Sequence, residues 1–219
     1  MINSGSFNVF RKVESVPIRD KVASEIRRAI FAGVFKAGEE LPQSDIAEKM
    51  GVSKTPVREA IQILKYEGLV EHIPHRGAFV KAISTDYVRE HYEMRILLEG
   101  DATRRVCGNS EAYEQLLIIH KKEIECYDNE DLNGWTVCNE YLHKTIWHYC
   151  GNSRLETYLF QLWMGQPGDF GHNLADMKAS CSDHCEIIKS IGENDPEIAC
   201  ELMHKHLTRA MQQRLNIEI

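Results

Sequence analysis

Three helical stretches of this chain each carry a histidine on the face that packs inward. Between residues 132 and 150, Trp135, Asn139, Leu142, His143, Ile146 and Tyr149 fall on one side of a 3.6-residue period, so Asn139 and His143 point where the core residues point. His184 precedes Ile187, Ile188 and Ile191 at helical spacing, and His206 shares a face with Ala199, Leu202, Met203 and Ala210. A lone inward histidine is ordinarily a satisfied core residue, whereas three on separate helices are costly to bury without a common partner. Imidazoles in that number suit a divalent ion, Zn or Ni first by ligand type, then Mn or Fe. Two rivals remain open on spacing alone. Cys181, His184 and Cys185 present two sulfurs and an imidazole on one helix, although Cys is also a common small core residue, and His204 fits the last helix as well as His206 does. Arg95 lies on the apolar stripe Val88, His91, Leu98, Ala102 and Val106, where it either clamps a ligand carboxylate or pairs with Glu99 one turn on.

A second set of residues has the chemistry to read nucleic acid. The segment LPQSDIAEKMGVSKTPVREAIQILKYEGLV predicts two short helices around a turn at Gly51, the first capped by Ser44, with Ile46, Ala47 and Met50 facing inward. The second is expected to be capped by Thr55 with Pro56 at its first position, to bury Val57, Ile61 and Leu64, and to stop at Gly68. Ser53, Lys54, Thr55 and Arg58 then stand at its exposed start. Lys54 and Arg58 are long enough to reach guanine edges or phosphates, and Ser53 and Thr55 suit phosphates near a helix N-terminus. Next, LVEHI and AFVKAI flank PHRG, which predicts a β-hairpin whose tip, His75, Arg76 and Gly77, can approach a minor groove or a phosphate backbone. Against this stands a plainer arrangement in which Arg58 pairs with Glu59 or Glu67 on a solvated face.

These residues need elements to position them. Val22, Ile26 and Ile30 predict a first helix that ends near Ala32 before Gly33, and residues 1–16, polar and unpatterned, are expected to form a mobile arm. Helical periodicity resumes over about 85–106, 111–127, 132–150, 154–164, 175–191 and 197–215, with a loop or kinked junction expected at 165–173, where glycine recurs around Pro167. The fold class is therefore mainly α: an N-terminal winged helix-turn-helix over 17–81 and a C-terminal all-α helical bundle over 85–219. Charge divides the same way, with 13 basic against 10 acidic residues through Lys81 and 13 against 23 beyond it, although the net charge of −7 by itself argues against nucleic acid. None of the seven cysteines stands in a CxxC pair, so free thiols in a cytoplasmic protein are expected. No apolar run is long enough to span a membrane.

The run from Val22 to Val80, with Gly33, Gly38, Leu41, Ile46-Ala47, GVSKTPVREAIQILKYEGLV and HRGAFV, closely resembles the DNA-binding domain of the GntR family. The resemblance implies contacts to DNA from Lys54, Thr55, Arg58, His75, Arg76 and Gly77, with Lys54 at a position where the family usually has Arg. The stretch from 85 to 215 resembles the helical FCD effector domain of the FadR-type branch, through MRILLEGDATRRV, NEYLHKTIWHYCGNSRL, DHCEIIKSI and ACELMHKHL. It implies a divalent metal on His143, His184 and His206, favouring His206 over His204, with a small carboxylate bound beside it. Asn139 stands where the family usually has Asp, which exchanges a carboxylate for a neutral, poorer ligand.

The expected function is thus that of a ligand-responsive, DNA-binding transcriptional regulator, a repressor, working as a homodimer on double-stranded operator DNA. Its expected effector is a small carboxylate, bound near Arg95 and Glu99. The alternatives are a regulator that senses the metal itself, and a zinc-dependent hydrolase. The second lacks support, since the sequence contains no GxSxG, HExxH or phosphate-binding loop.

Overall fold

Helix α1 (Ile18–Phe31) forms where the apolar positions recur every fourth residue, and it buries Val22, Ile26 and Ile30. The computed structural model describes residues 17–31, 33–164 and 173–216. The expected arm at 1–16 and most of the expected junction at 165–173 lie outside them, while Asn173 begins the next helix. After α1, Gly33 takes a left-handed φ of +66° and the Val34 amide donates back to the Ala29 carbonyl at 2.9 Å, the closing turn that glycine permits.

Helices α2 (Gln43–Lys49) and α3 (Lys54–Tyr66) meet at Gly51, φ +65°, and pack with α1 around Ile46, Ala47, Val57, Ile61 and Leu64. Two cap assignments need correction. Helix α2 starts one residue before Ser44, with Pro42 at the cap, and α3 starts at Lys54 with Ser53 at the cap, so Thr55 and Pro56 lie inside the first turn. Proline is still tolerated there, because amides of the first turn have no intrahelical acceptor. Strands β1 (Val70–Ile73) and β2 (Gly77–Val80) pair antiparallel, Val70 opposite Val80 and Ile73 opposite Gly77, with His75 at φ +61° in the turn. The hairpin has a third edge that periodicity does not announce. Leu41 donates to Ala78 and Val80 to Glu39, at 2.8 and 2.9 Å, so residues 38–41 flank β2.

The helical part runs α4 (Thr85–Val106), α5 (Ser110–Asp128), α6 (Leu132–Tyr149), α7 (Ser153–Met164), α8 (Leu174–Gly192) and α9 (Pro196–Asn216). Ser84, Asn109, Asp131 and Asn173 cap α4, α5, α6 and α8 with side-chain oxygens. A separate core joins Ala102, Leu116, Leu142, Ile146, Leu159, Ile187, Met203 and Leu207. Helices α4 and α9 pack closely because Gly100 has no side chain: a Cβ there would stand 2.1 Å from His204 Nε2. None of the described helices is long and apolar enough to cross a membrane.

Candidate metal centre and nucleic-acid interface

Helices α6, α8 and α9 bring His143, His184 and His206 together. Each offers a ring nitrogen within 4.8 Å of the other two, and no other His, Cys, Asp or Glu cluster of this kind occurs among the described residues. All three are buried. The Nδ1 side of every ring faces a carboxylate: Glu99 Oε2 at 2.6 Å from His143, Glu123 Oε1 at 2.8 Å from His184 and Asp183 Oδ2 at 3.1 Å from His206. A ring that donates its Nδ1 proton to a carboxylate keeps a lone pair on Nε2, the arrangement in which histidine binds metals. Burial pushes the His143 ring below the usual imidazole range and the His206 ring down to about 3, against the pull of their carboxylates, so both are neutral near pH 7. His184 Nε2 is buried with no hydrogen-bond partner. This donor set fits a divalent cation.

Around it lies a cavity of about 40 Å³, walled by Tyr92, Arg95, Trp163 and Arg214 together with His143 and His206. Asn139 is on this wall, as is Ser180. Arg95 stands over the Trp163 ring at 4.8 Å and the Tyr92 ring at 5.3 Å, and donates to Glu99 Oε1 at 2.6 Å. Of the two roles considered for Arg95 the helical ion pair with Glu99 is present, and the guanidinium also stands on the cavity wall. Glu99 lies elsewhere than expected. It is fully buried behind the wall, and its second oxygen accepts from His143 Nδ1 and, at 3.2 Å, from Trp147 Nε1. Burial alone would raise its carboxyl, but Arg95 and His143 hold it down to about 2, so it stays ionised and orients its neighbours.

The rival ligand sets are not assembled. Cys181 packs with Trp135 and Met177, and burial pushes its thiol up to about 12, while Cys185 is exposed. His204 turns to Cys200 Sγ at 3.5 Å and to Gly100. Sequence reasoning named Glu99 but missed the other two carboxylates behind the ligands and their own partners: His120 holds Glu123 at 2.9 Å and Arg209 holds Asp183 at 2.6 Å. The one available signal was the spacing of His120 and Glu123, adjacent on a helix.

At the other end of the chain, Ser53, Lys54, Thr55 and Arg58 are all exposed on the first turns of α3, and His75 and Arg76 are exposed at the hairpin tip. Glu67 is not available to Arg58, because Arg27 binds it with two hydrogen bonds of 2.6 and 2.9 Å, and Arg58 forms no ion pair among the described residues. Arg76 lies 5.3 Å over the Phe79 ring, which braces the tip. Gly77 adopts φ +117°, and a Cβ there would meet Glu40 Oε1 at 2.7 Å, so the turn and its third edge both need glycine.

A winged helix-turn-helix followed by a helical bundle around a buried polar cavity defines a ligand-responsive regulator of transcription. Residues 18–80 match the bacterial regulatory proteins of the gntR family and residues 90–209 match the FCD domain. Similar proteins include an uncharacterized HTH-type transcriptional regulator from the TAR-I ttuE-ttuC' intergenic region of Agrobacterium vitis, 33% identical over 126 residues, or 55% of this chain and 74% of that protein. The gluconate operon transcriptional repressor of Bacillus licheniformis is 22% identical over 204 residues, or 85% of this chain and 80% of that protein. In fold the chain resembles E. coli McbR/YncC, with a TM-score of 0.70 over 92% of this chain and 100% of that chain at 20% identity. The chain belongs to the GntR family of transcriptional regulators and carries an FCD effector-binding domain. It is a regulator rather than an enzyme.

Proposed function

We propose that the protein is a cytoplasmic, homodimeric repressor whose operator affinity is set by a small carboxylate metabolite held beside a divalent ion. The observation that carries this reading is the convergence of three buried imidazoles, one with an unpartnered Nε2, of which His143 and His206 line the cavity that Arg95 also walls. His143, His184 and His206 would hold the ion through Nε2, with Asn139 beside them, and imidazole donors favour Zn or Ni. When bound, the ion supplies open coordination positions that accept a carboxylate oxygen. The protein's own part is to fix the rings through Glu99, Glu123 and Asp183, to exclude water with Trp163 and Tyr92, and to offer the Arg95 guanidinium to a second acid oxygen. In the other domain, taken as 17–81, Lys54 and Arg58 would contact base edges or phosphates, Ser53 and Thr55 phosphates, and His75, Arg76 and Gly77 the neighbouring groove or backbone.

Coupling between the two would run through the start of α4. Ile83 and Tyr87 pack against the winged-helix core, and one turn on, His91 stacks on Tyr87 at 6.3 Å, followed by Tyr92 and Arg95 on the cavity wall. The test is elemental analysis of gently purified protein, then calorimetric titration of hydroxy and dicarboxylic acids with and without a chelator. Chelation, or His184→Ala, is expected to weaken effector binding at least tenfold and to leave operator binding of the effector-free protein within twofold. Undiminished acid binding by metal-free protein would sink the proposal.

The cavity volume favours one further reading. At about 40 Å³ the cavity is far smaller than the pockets that hold drug-sized ligands, so an ion with a few waters fills it more readily than a large metabolite does. In this reading the ion is itself the effector. Operator release by Zn or Ni alone, with no acid present, would select it.

A further inference from the structure

The three carboxylates behind the histidines are not equivalent. Glu99 is paired with Arg95 and Asp183 with Arg209, so each has a fixed counter-charge. Glu123 has none: its oxygens meet His184 Nδ1 at 2.8 Å and His120 Nδ1 at 2.9 Å, and among the described residues no arginine or lysine forms an ion pair with it. It is nevertheless fully buried. A buried carboxylate whose partners are imidazoles alone lacks the fixed counter-charge that Arg95 and Arg209 give the other two, so a cation close by would stabilise its burial. Across the His184 ring from Glu123 lies its buried Nε2, which has no hydrogen-bond partner among the described residues. On the cavity wall, with His143 and His206, Asn139 presents an amide, which adds no negative charge.

We propose that Glu123 is a positioning residue of the ion site, supplying through His184 the negative charge that Asn139 does not supply directly. The inference rests on the ion reading above. Accepting the Nδ1 proton fixes the tautomer of His184 and makes its Nε2 a stronger donor to a metal. His120, 7% exposed, holds the second oxygen and so prevents the carboxylate from turning away from His184. A dication at Nε2 returns the missing counter-charge across a single ring, so ion and carboxylate stabilise each other's burial.

The experiment uses the full chain, stripped with a chelator and titrated with Co(II), whose absorption reports binding, while a competing chelator gives the Kd. Glu123→Gln is expected to weaken Co(II) binding about ten- to a hundredfold, the usual consequence of losing a group behind a metal ligand. Adding Asn139→Asp to that variant is expected to recover most of the loss, because the charge then arrives on the metal itself. Circular dichroism and operator affinity, both expected to match the wild type, show that the variants fold. If Glu123→Gln does not fold, His120→Ala replaces it, with an expected weakening of about threefold or more. Co(II) bound by Glu123→Gln, or by its replacement, as tightly as by the wild type overturns the inference and leaves the ion reading standing. Wild-type protein that binds Co(II) no better than His143→Ala does removes the ion reading and the inference with it.

Discussion

Arg58 is exposed on α3; of the two acids that could have neutralised it, Glu67 is engaged by Arg27, and Arg58 forms no ion pair with Glu59. Its guanidinium is therefore free to meet a base edge or a phosphate, and Arg58→Ala is expected to cost about 1–3 kcal/mol of operator affinity, tenfold or more. Because the side chain is outside the core, the melting temperature should stay within a degree or two. Gel shifts at one fixed salt concentration, beside a thermal melt, check both halves; unchanged affinity in a folded variant would mean that α3 does not read DNA. A different residue sets part of the pH response. Burial first, and then Arg95, push the His91 ring down to about 3, and its Nε2 has no hydrogen-bond partner. The unfolded chain takes up this proton near pH 6.5 and the folded one only near 3, so stability is lost as pH falls through that window, by roughly 1 kcal/mol per pH unit. His91→Leu is expected to shrink the drop in stability between pH 7 and 5, measured by denaturant unfolding. An equal drop in the variant assigns the acid sensitivity to other groups.

At the scale of elements, α4 has two jobs that its sequence shows only in part. Its middle carries Arg95 into the cavity wall, Glu99 behind it and Gly100 against α9, while its first turn carries Tyr87 onto the winged-helix core. Burial and the Glu67 carboxylate push the Tyr87 hydroxyl up to about 12, a sign of how closely this helix start sits against the Arg27–Glu67 pair at the end of α3. Tyr87→Ala is expected to leave effector affinity nearly unchanged and to reduce the effector's influence on operator affinity about fivefold or more, a coupling of 1–3 kcal/mol being typical. Calorimetry for the first quantity and gel shifts with and without effector for the second separate them. Full retention of the effect on DNA would place the coupling somewhere other than this contact.

For the whole molecule, one small winged helix offers a single half-site contact, too weak for specific control at physiological salt. A homodimer is therefore expected, with two α3 helices on the half-sites of a palindrome and a separation that the effector domain sets. Sedimentation of the full chain at micromolar concentration should show a species of twice the 25.2 kDa chain mass. A strict monomer that still binds a palindromic operator tightly would refute this. The division of charge fits the same picture, since the near-neutral first part approaches DNA while the acidic remainder limits nonspecific binding.

Local patterns sufficed for most of the architecture. Helix α4 runs over Thr85–Val106 as its periodicity predicts, and the inward faces of α6, α8 and α9 follow from residues three and four apart, because side-chain direction in a helix is fixed by a 3.6-residue period. Glycine positions marked the turns for the equally local reason that φ is positive at Gly33, Gly51 and Gly68. Periodicity could aim three histidines inward but could not choose between His204 and His206, since both lie on half-plausible faces and only the packing of α9 on α4 sends His204 toward Gly100. Nor could it find what stands behind each ring. Glu99 and His143 are 44 positions apart, and Glu123 and His184 are 61 apart, so the contacts that decide tautomer, charge and free nitrogen exist only once the helices are packed. The third edge of the hairpin, from residues 38–41, was hidden for the same reason: its hydrogen bonds come from backbone groups that carry no side-chain signature.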